Sequence, residues 1–409
     1  MIELSTEQKI LLDLIGFGLK GKAIDPEGLE TADWKEVIRL SLVQAVPGLA
    51  FDAAEKAGLK EVVTSELWDE WSGISNKNLV NNILATHHQQ KMVGIMEENH
   101  YNYAIIKGTS AALYYPEPKF RSFGDCDFLM EKEKIQEISE KFIQNGYVPG
   151  KDNETHRAHL CFYNEDGADL EMHFDINGLP EGPEGDEIRN YLSDVFDCSA
   201  EGEVMGSRFI TPAPRHHAVV ILVHMAHHLL GTGVGLRHIM DWGVFVDKTS
   251  GESFWDESLL PFLKKVGLYN FAQISAKTCG VYFGTAIPSW CEGADDNACD
   301  DLMYDTLSGG NFGRNNPDRA LSGKYITTSE SNKTGGSKLA NFYKSVCIST
   351  ERKFPVVKKY KILRPFCNII NGFGYGLDVI RGKKASVVKG YKYADERKKI
   401  LDGMKLYEK

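Results

Sequence analysis

Apolar residues recur every three or four positions through the first hundred residues, which predicts amphipathic helices. The segment STEQKILLDLIGFGL opens with a Ser/Thr cap and keeps this period. The segments DWKEVIRLSLVQAV and LVNNILATHHQQKMVGIMEENHY continue it. We therefore expect a helical N-terminal region over residues 1–100.

The pattern changes after residue 100. YAIIKG predicts a short buried strand, TSAALYY one or two helical turns, and DCDFLM a second strand. EKEKIQEISEKFIQNG has a helical period that ends at glycine, with Ile135, Ile138 and Phe142 inward. HLCFYNEDGADLEMHFDI predicts a hairpin with NEDG as its turn. Residues 101–210 therefore form, in our prediction, a compact α+β core built on a small mixed sheet.

The helical period returns after residue 210. PAPRHHAVVILVHMAHHLL and GLRHIMDWGVFVDK are its strongest segments, with prolines placed for a helix start. Polar loop sequence becomes frequent from EGADDNACDD to SESNKTGGSK. We predict a helical domain over residues 211–330 and a basic tail of helix and loop over residues 331–409. The fold class is thus α+β, with helical regions on both sides of the core.

Composition places the chain among globular proteins rather than disordered or membrane-spanning ones. Of its 409 residues, 42% are hydrophobic and 25% are charged, close to the averages for globular domains. No run approaches the roughly 20 apolar residues that cross a bilayer, and the N-terminus lacks the basic start of a signal peptide. The eight cysteines contain no CxxC pair. We expect a cytoplasmic chain with reduced thiols.

The net charge of -10 hides an uneven distribution. Residues 333–409 contain 19 Lys/Arg and 6 Asp/Glu, whereas the rest of the chain contains 28 and 51. The acidic body argues against general nucleic-acid binding. In the tail, FPVVKKYKILRPF and VIRGKKASVVKGYKY interleave aromatic and basic residues. This pattern fits an anionic membrane or a polyanion, or a helical cap whose aromatics cover the core while its lysines stay hydrated. We favour the cap.

Acidic residues alternate along two of the predicted strands, and side chains at i and i+2 share a face. In DCDFLM the shared pair is Asp125 and Asp127. In DLEMHFDI it is the set Asp169, Glu171, His173 and Asp175. If the two strands pair, their carboxylates crowd onto one surface and need cations to neutralise them. Hard oxygen ligands of this kind suit Mg²⁺ or Mn²⁺.

The segment IIKGTS supplies features of a phosphate site. Gly108 follows a strand and lets backbone N–H groups approach a phosphate, and a helix N-terminus follows it. Thr109 and Ser110 add hydroxyl donors. Lys107 and Arg121 offer positive charge to a triphosphate. Taken singly, both KGTS and DxD are common patterns; their combination in this order is more specific.

That combination resembles the nucleotidyltransferase superfamily of the DNA polymerase beta type. More narrowly, the chain is similar to a bacterial family of largely uncharacterised nucleotidyltransferases, whose pattern runs KG…YP…R…GDxD, then ExH, then a helical H…GxGxR…D. The corresponding segments here are KGTSAALYYPEPKFRSFGDCD, LEMH and HHLLGTGVGLRHIMD. The resemblance covers residues Leu84 to Lys248 well and the flanking regions more loosely.

The resemblance implies transfer of an NMP from an NTP to the hydroxyl of an unknown acceptor, with two Mg²⁺ (or Mn²⁺) ions. Asp125 and Asp127 would bridge both ions, and Glu171 would complete the acceptor-side ion. His173 would contact a phosphate or orient Glu171; a hydrogen-bonded histidine without a catalytic role is an equal alternative. The resemblance also implies that Arg237 or His228 faces the nucleotide from the second, helical domain.

Histidines repeat along the helix HHAVVILVHMAHHLL, where His217, His224 and His228 fall on one stripe. Together with His238 and Asp241 of the next helix they permit a metal-dependent phosphohydrolase as an alternative function. The His-Asp dipeptide of such hydrolases and the glutamate of HExxH are both missing from the sequence. A catalytically inactive nucleotide-binding or regulatory module is a further alternative. Arg237 and Asp241 have the i,i+4 spacing of an ion pair.

Overall fold

The computed structural model describes residues 3–151, 153, 158–327, 337–382 and 384–408. Four helices form the N-terminal region: α1 (Thr6–Lys20), α2 (Trp34–Val43), α3 (Pro47–Lys56) and α4 (Ser65–Glu98). The predicted cap is present, because the Ser5 hydroxyl accepts the Gln8 N–H while the Gln8 side chain accepts the Ser5 N–H. The helical prediction for this region is confirmed, although α4 begins earlier than its apolar pattern indicates.

A five-stranded sheet follows, with strand order β1-β2-β5-β4-β3. The strands are β1 (Tyr103–Ile105), β2 (Cys126–Met130), β3 (Val148–Pro149), β4 (His159–Tyr163) and β5 (Asp169–His173). β2 and β5 pair in parallel and the other neighbours are antiparallel. The predicted mixed sheet and the hairpin of β4 and β5 are therefore confirmed, and the fold class is α+β.

Two helices connect the first strands of the sheet. α5 (Thr109–Ala112) is a single turn after β1, and α6 (Ile135–Gln144) follows β2. Ile138 and Phe142 of α6 are fully buried, as predicted, and the Phe142 ring contacts Phe128 and Phe162 of the sheet. This packing fixes which side of β2 faces the core and leaves the side of Asp127 for the site.

The segment after the sheet holds elements that the hydrophobic pattern did not predict. They are α7 (Pro183–Tyr191) and a hairpin of β6 (Ser199–Val204) and β7 (Ser207–Pro212). The alternation of this hairpin is weak because several of its inward positions, such as Gly202 and Thr211, are small or polar. β7 packs against β1, where the Thr211 hydroxyl donates to Ile105 O at 3.2 Å.

Helices build most of the second half of the chain: α8 (Pro214–Leu230), α9 (Leu236–Thr249), α10 (Leu260–Val266), α11 (Tyr269–Phe283), α12 (Asp296–Gly309), α13 (Pro317–Ala320) and α14 (Gly323–Ile326). α8 and α9 match the two strongest predicted helices. Buried apolar residues of α8 to α12, of α14 and of α1 to α3 belong to one hydrophobic cluster. The division at residues 330 and 331, like most of SESNKTGGSK, lies outside the described residues, and the domain limits stay predictions.

The C-terminal tail contains α15 (Lys338–Lys353), α16 (Val356–Lys359), α17 (Arg364–Ile380) and α18 (Val387–Met404). α18 docks on the body, where the buried Arg397 donates to Leu229 O at 2.5 Å and to Asp305 at 3.3 Å. α17 behaves differently, since Phe366 and Phe373 point outward and are exposed. The prediction that tail aromatics cover the core is therefore wrong for α17. Among the described residues no helix is long and apolar enough to cross a membrane.

Candidate active site

The site is built where β2 and β5 run side by side. Asp127 of β2 and Glu171 of β5 are register partners in this parallel pair, and Asp125 directly precedes β2. The predicted shared face is thus confirmed for these three carboxylates. Asp175 does not belong to it, because β5 ends at His173 and the Asp175 carboxylate accepts a hydrogen bond from Arg189 at 2.9 Å.

A cavity of about 160 Å³ opens above these strand ends. Lys107, Gly108 and the three carboxylates line one side of it. The opposite side comes from α8, α9 and the loop before α13; its polar and aromatic residues are His224, His228, Arg237, His238 and Phe312. The cavity is smaller than the roughly 300–1,000 Å³ of pockets that enclose a whole ligand.

Asp127 is the most buried of the three carboxylates, with 3% exposure. Its Oδ1 lies 2.5 Å from Lys107 Nζ and 2.9 Å from His173 Nε2. Burial opposes its ionisation, but the charge of Lys107 and the hydrogen bond from His173 outweigh burial and lower the pKa of Asp127. Asp127 is therefore an anion at neutral pH, held by two donors.

Asp125 has the opposite environment. The negative charge of Asp127, burial and the charge of Glu171 raise the pKa of Asp125 to about 7. Asp125 is also more exposed than Asp127 and lies at the mouth of the cavity. Lys107 pairs with Asp127, and the charges of Asp127 and Glu171 still act on Asp125.

This donor set fits a divalent cation. Ligand atoms of Asp127, Glu171 and His173 lie within 4.8 Å of one another, and Asp125 lines the same cavity. Three carboxylates are the hard oxygen ligands that Mg²⁺ and Mn²⁺ prefer. His173 Nε2 also lies 3.4 Å from Glu171 Oε2, so this histidine contacts two of the acids and can orient both.

The glycine segment reaches the cavity by its backbone and not by its hydroxyls. Gly108 has φ +56° and ψ -109°, a conformation that favours glycine. The Thr109 hydroxyl donates to Gln89, and the Ser110 hydroxyl contacts Thr211. The structure thus brings Lys107 and Gly108 to the carboxylates and directs both predicted hydroxyl donors away from them. The predicted helix N-terminus is only the single turn of α5.

Arg121 lines the cavity but is engaged by another residue. Its Nε and Nη2 donate to the two oxygens of Asp241 at 2.8 and 2.7 Å, and the Tyr115 hydroxyl donates to the same carboxylate at 2.8 Å. The expected Arg237–Asp241 ion pair is therefore wrong, because Arg121 takes the carboxylate in a bidentate geometry. Arg237 Nη1 instead donates to Ser122 O at 3.2 Å.

Three histidines form the wall opposite the carboxylates, and we call His224, His228 and His238 the histidine wall. Their ligand nitrogens lie within 4.8 Å of one another. Burial lowers the pKa of all three, so the rings are neutral. The Gly235 N–H donates to His238 Nδ1 at 3.2 Å, and the proton of the neutral ring therefore sits on Nε2.

Sequence reasoning missed two residues that shape this cavity. The Phe312 ring lies 4.8 Å from the His228 ring and 5.9 Å from the Arg237 guanidinium. Asn82 of α4 holds the loop before Asp125: it donates to Arg121 O at 2.8 Å and accepts the Phe123 N–H at 2.8 Å. No pattern in the chain marks either residue, because their roles depend on contacts between distant segments.

Comparisons with known proteins identify the family of the chain. A search of solved structures matches the crystal structure of an antigenic nucleotidyltransferase-like protein from Paracoccidioides brasiliensis, at 14% identity and a TM-score of 0.29, over 52% of this chain and 94% of that one. No curated protein matches the chain. The model of the family described as "Uncharacterised nucleotidyltransferase" matches residues 30–284, more than half of the chain. The chain belongs to this uncharacterised nucleotidyltransferase family.

Proposed function

We propose that the protein transfers an NMP from an NTP to the hydroxyl of an acceptor, with Mg²⁺ (or Mn²⁺) as cofactor and by a two-metal mechanism. The observation that carries the proposal is the parallel register of Asp127 with Glu171, next to Asp125. This register brings three carboxylates to one cavity, where they repel one another unless cations bind.

The three carboxylates are the catalytic and metal-binding residues of this proposal. Two Mg²⁺ ions bound there would neutralise charge on the α-phosphoryl group and lower the pKa of the acceptor hydroxyl. Glu171 is less buried than Asp127, and we assign it the acceptor side, where it accepts the hydroxyl proton. His173 donates to Asp127 and contacts Glu171, and it holds both acids in position.

Hydrogen-bond donors for the triphosphate would come from the rest of the cavity surface. Arg237 Nε and His238 Nε2 are buried and have no hydrogen-bond partner among the described residues, and both residues line the cavity. Such donors are costly to leave unpaired, and an anionic ligand would satisfy them. Lys107 and the Gly108 backbone approach from the carboxylate side. Arg121 positions this surface through Asp241.

A metal-dependent phosphohydrolase is the second candidate function, because the histidine wall groups three imidazoles. The tautomer of His238 argues against it: a ring nitrogen that carries a proton cannot ligate a cation. The neighbouring Arg237 adds a positive charge that repels a metal ion. We therefore assign the wall to anion binding. A hydrolase would release phosphate without incorporating a nucleotide.

The experiment incubates the protein with each NTP and Mg²⁺ and measures pyrophosphate release and nucleotide transfer. The double variant Asp125→Asn/Asp127→Asn should lose metal-dependent nucleotide binding and turnover. Asp125→Asn relieves repulsion while Asp127→Asn removes the partner of Lys107, so circular dichroism must show that the variant is folded. The matched control Asp69→Asn/Asp256→Asn removes as much charge at exposed positions that do not line the cavity and should keep both. Unchanged turnover of the Asp125→Asn/Asp127→Asn variant would contradict a catalytic role for these two residues. If the wild-type protein binds nucleotide without metal and shows no turnover, the alternative of a catalytically inactive nucleotide-binding module is favoured.

The partners in this proposal are an NTP and an acceptor that bears a hydroxyl. The acidic body still argues against general nucleic-acid binding. A cytoplasmic location remains our prediction; the structure adds that all eight cysteines are free thiols. The chemistry of a two-metal site does not select the acceptor, which is chosen by the surrounding helices.

A further inference from the structure

α17 exposes a continuous apolar face. Its outward side chains, together with Ile362 just before the helix, recur at helical spacing and cover about a third of the circumference; they are Ile362, Phe366, Ile369, Ile370, Phe373, Leu377 and Ile380. Phe373 is 72% exposed and Ile380 84%. We call this set the apolar stripe. Contiguous exposed apolar surface of this kind marks an interaction site.

The inner side of the same helix is polar. Asn371 donates to Thr350 of α15 at 3.1 Å, and the Tyr375 hydroxyl donates to Ala385 O at 3.0 Å. Arg364 forms an ion pair with Glu351 of α15. Polar contacts therefore hold α17 to its neighbours, and its apolar residues face away from them. Rotating the helix to bury the stripe would break these contacts, so the orientation is a consistent feature of the fold.

Basic residues surround the stripe at both ends. Between positions 352 and 384 the chain has nine Lys or Arg and one acidic residue, Asp378, which pairs with Lys384 at 2.8 Å. Lys358, Lys359 and Lys361 are exposed before the helix, and Arg381 is exposed after it. The positive charge is concentrated here, whereas the body of the protein is acidic.

We propose that the apolar stripe inserts into the interfacial region of an anionic lipid bilayer, with α17 lying in the membrane plane. An apolar face with a cationic rim is the surface that binds such membranes. A second copy of the chain would bring two basic rims together, and like charges would oppose that contact. A nucleic acid would bind the lysines but leave the apolar stripe exposed to water. The proposal does not depend on the proposed enzymatic activity.

The test is flotation of the full-length protein with vesicles of phosphatidylcholine alone or with about 30% phosphatidylglycerol. We expect the protein to float with the anionic vesicles and at least about tenfold less with the neutral ones. Ile369→Asp/Phe373→Asp should reduce flotation at least about tenfold, because it places charge in the stripe. Lys358→Glu/Lys359→Glu should also reduce it, and added salt should weaken binding of the wild type.

The matched control is Val80→Asp/Ile83→Asp, which places two charges on exposed apolar positions of α4 and should float like the wild type. Circular dichroism should show that all variants are folded, since the altered side chains are exposed. The proposal is overturned if the wild type does not float with anionic vesicles or if the stripe variant floats equally well. It is also overturned if light scattering shows a dimer that the stripe variant dissociates.

Discussion

Asp127 and Glu171 face each other across a parallel strand pair, 44 positions apart in the chain and adjacent in register. Backbone pairing between β2 and β5 sets the Cα positions of both residues. Their alignment therefore does not depend on a flexible loop. Lys107 and His173 then hold Asp127 as an anion. The arrangement keeps two carboxylates close together before any ligand arrives, which is the preorganisation that the proposed metal-assisted transfer needs.

Glu171→Gln tests the register partner. The amide keeps the shape of the side chain but removes the charge and the proton acceptor, so we expect pyrophosphate release to fall by about 10²–10³-fold. The unfolding temperature should stay the same or rise, because repulsion with Asp125 is relieved. Asp169→Asn is the matched control on the same strand and should keep activity. Equal losses in both variants would contradict a specific role for Glu171.

Asp125 makes the stability of the metal-free protein depend on pH. Its pKa is raised from 3.8 to about 7, chiefly by Asp127, so the folded state binds the proton more tightly than the unfolded state. This contribution to stability is full below about pH 4 and is lost as pH rises through 7. Water screens part of the effect because the residue is exposed.

The measurement compares thermal unfolding of the wild type and Asp125→Asn in EDTA between pH 5 and pH 8. The variant lacks the titrating group, so its advantage over the wild type should grow as pH rises. Added Mg²⁺ should then stabilise the wild type at pH 8 and have little effect on the variant. A constant difference across this range would mean that Asp125 has an ordinary pKa.

His238 is expected to donate to a phosphate through Nε2. Charge-assisted hydrogen bonds contribute about 1.5–3 kcal/mol, so His238→Phe should raise KM for the NTP by roughly tenfold or more and change kcat less. His87→Phe, on an exposed position of α4, is the control. Stoichiometric zinc in the purified protein, lost in His238→Phe, would instead support the phosphohydrolase alternative.

Side-chain phase along strands is a local property, and it predicted the shared face of Asp125, Asp127 and Glu171 before any pairing was known. The alternation DCDFLM and LEMH fixes which residues oppose Phe128 and Met172 in the core. The limit of the strand was less predictable: Asp175 continues the alternation, yet the pairing ends at His173. Strand ends depend on neighbouring segments, and the sequence of the strand does not encode them.

Long-range partners were beyond the sequence because they depend on tertiary packing. Arg121 lies 120 positions from Asp241, while Arg237 has the spacing of a helical partner. Only the fold shows that the distant Arg121 pairs with Asp241, through two hydrogen bonds. The outward face of α17 has the same origin: its amphipathic period was readable from the sequence, but which face meets the protein was not.

Gly108 tests the backbone at the mouth of the site. Gly108→Ala should destabilise the protein by roughly 1–3 kcal/mol, because φ +56° with ψ -109° is unfavourable for any residue with a Cβ. Steric crowding is not the cause, since the nearest atom to the added Cβ is Asp125 O at 3.8 Å. Gly124→Ala, where a Cβ meets nothing within 4 Å, should change stability little. Urea unfolding distinguishes the two variants.

Arg121 separates a structural role from the phosphate contact that its sequence context predicts. Arg121→Met leaves Asp241 buried without its cation, so urea unfolding should show a loss of about 3–5 kcal/mol. Arg39→Met removes an exposed pair with Glu36 and should cost less than about 1 kcal/mol. Replacing both partners, as Arg121→Met/Asp241→Leu, should recover part of the stability, since no unpaired charge remains. If Arg121→Met is as stable as the wild type but binds NTP weakly, the guanidinium contacts phosphate directly.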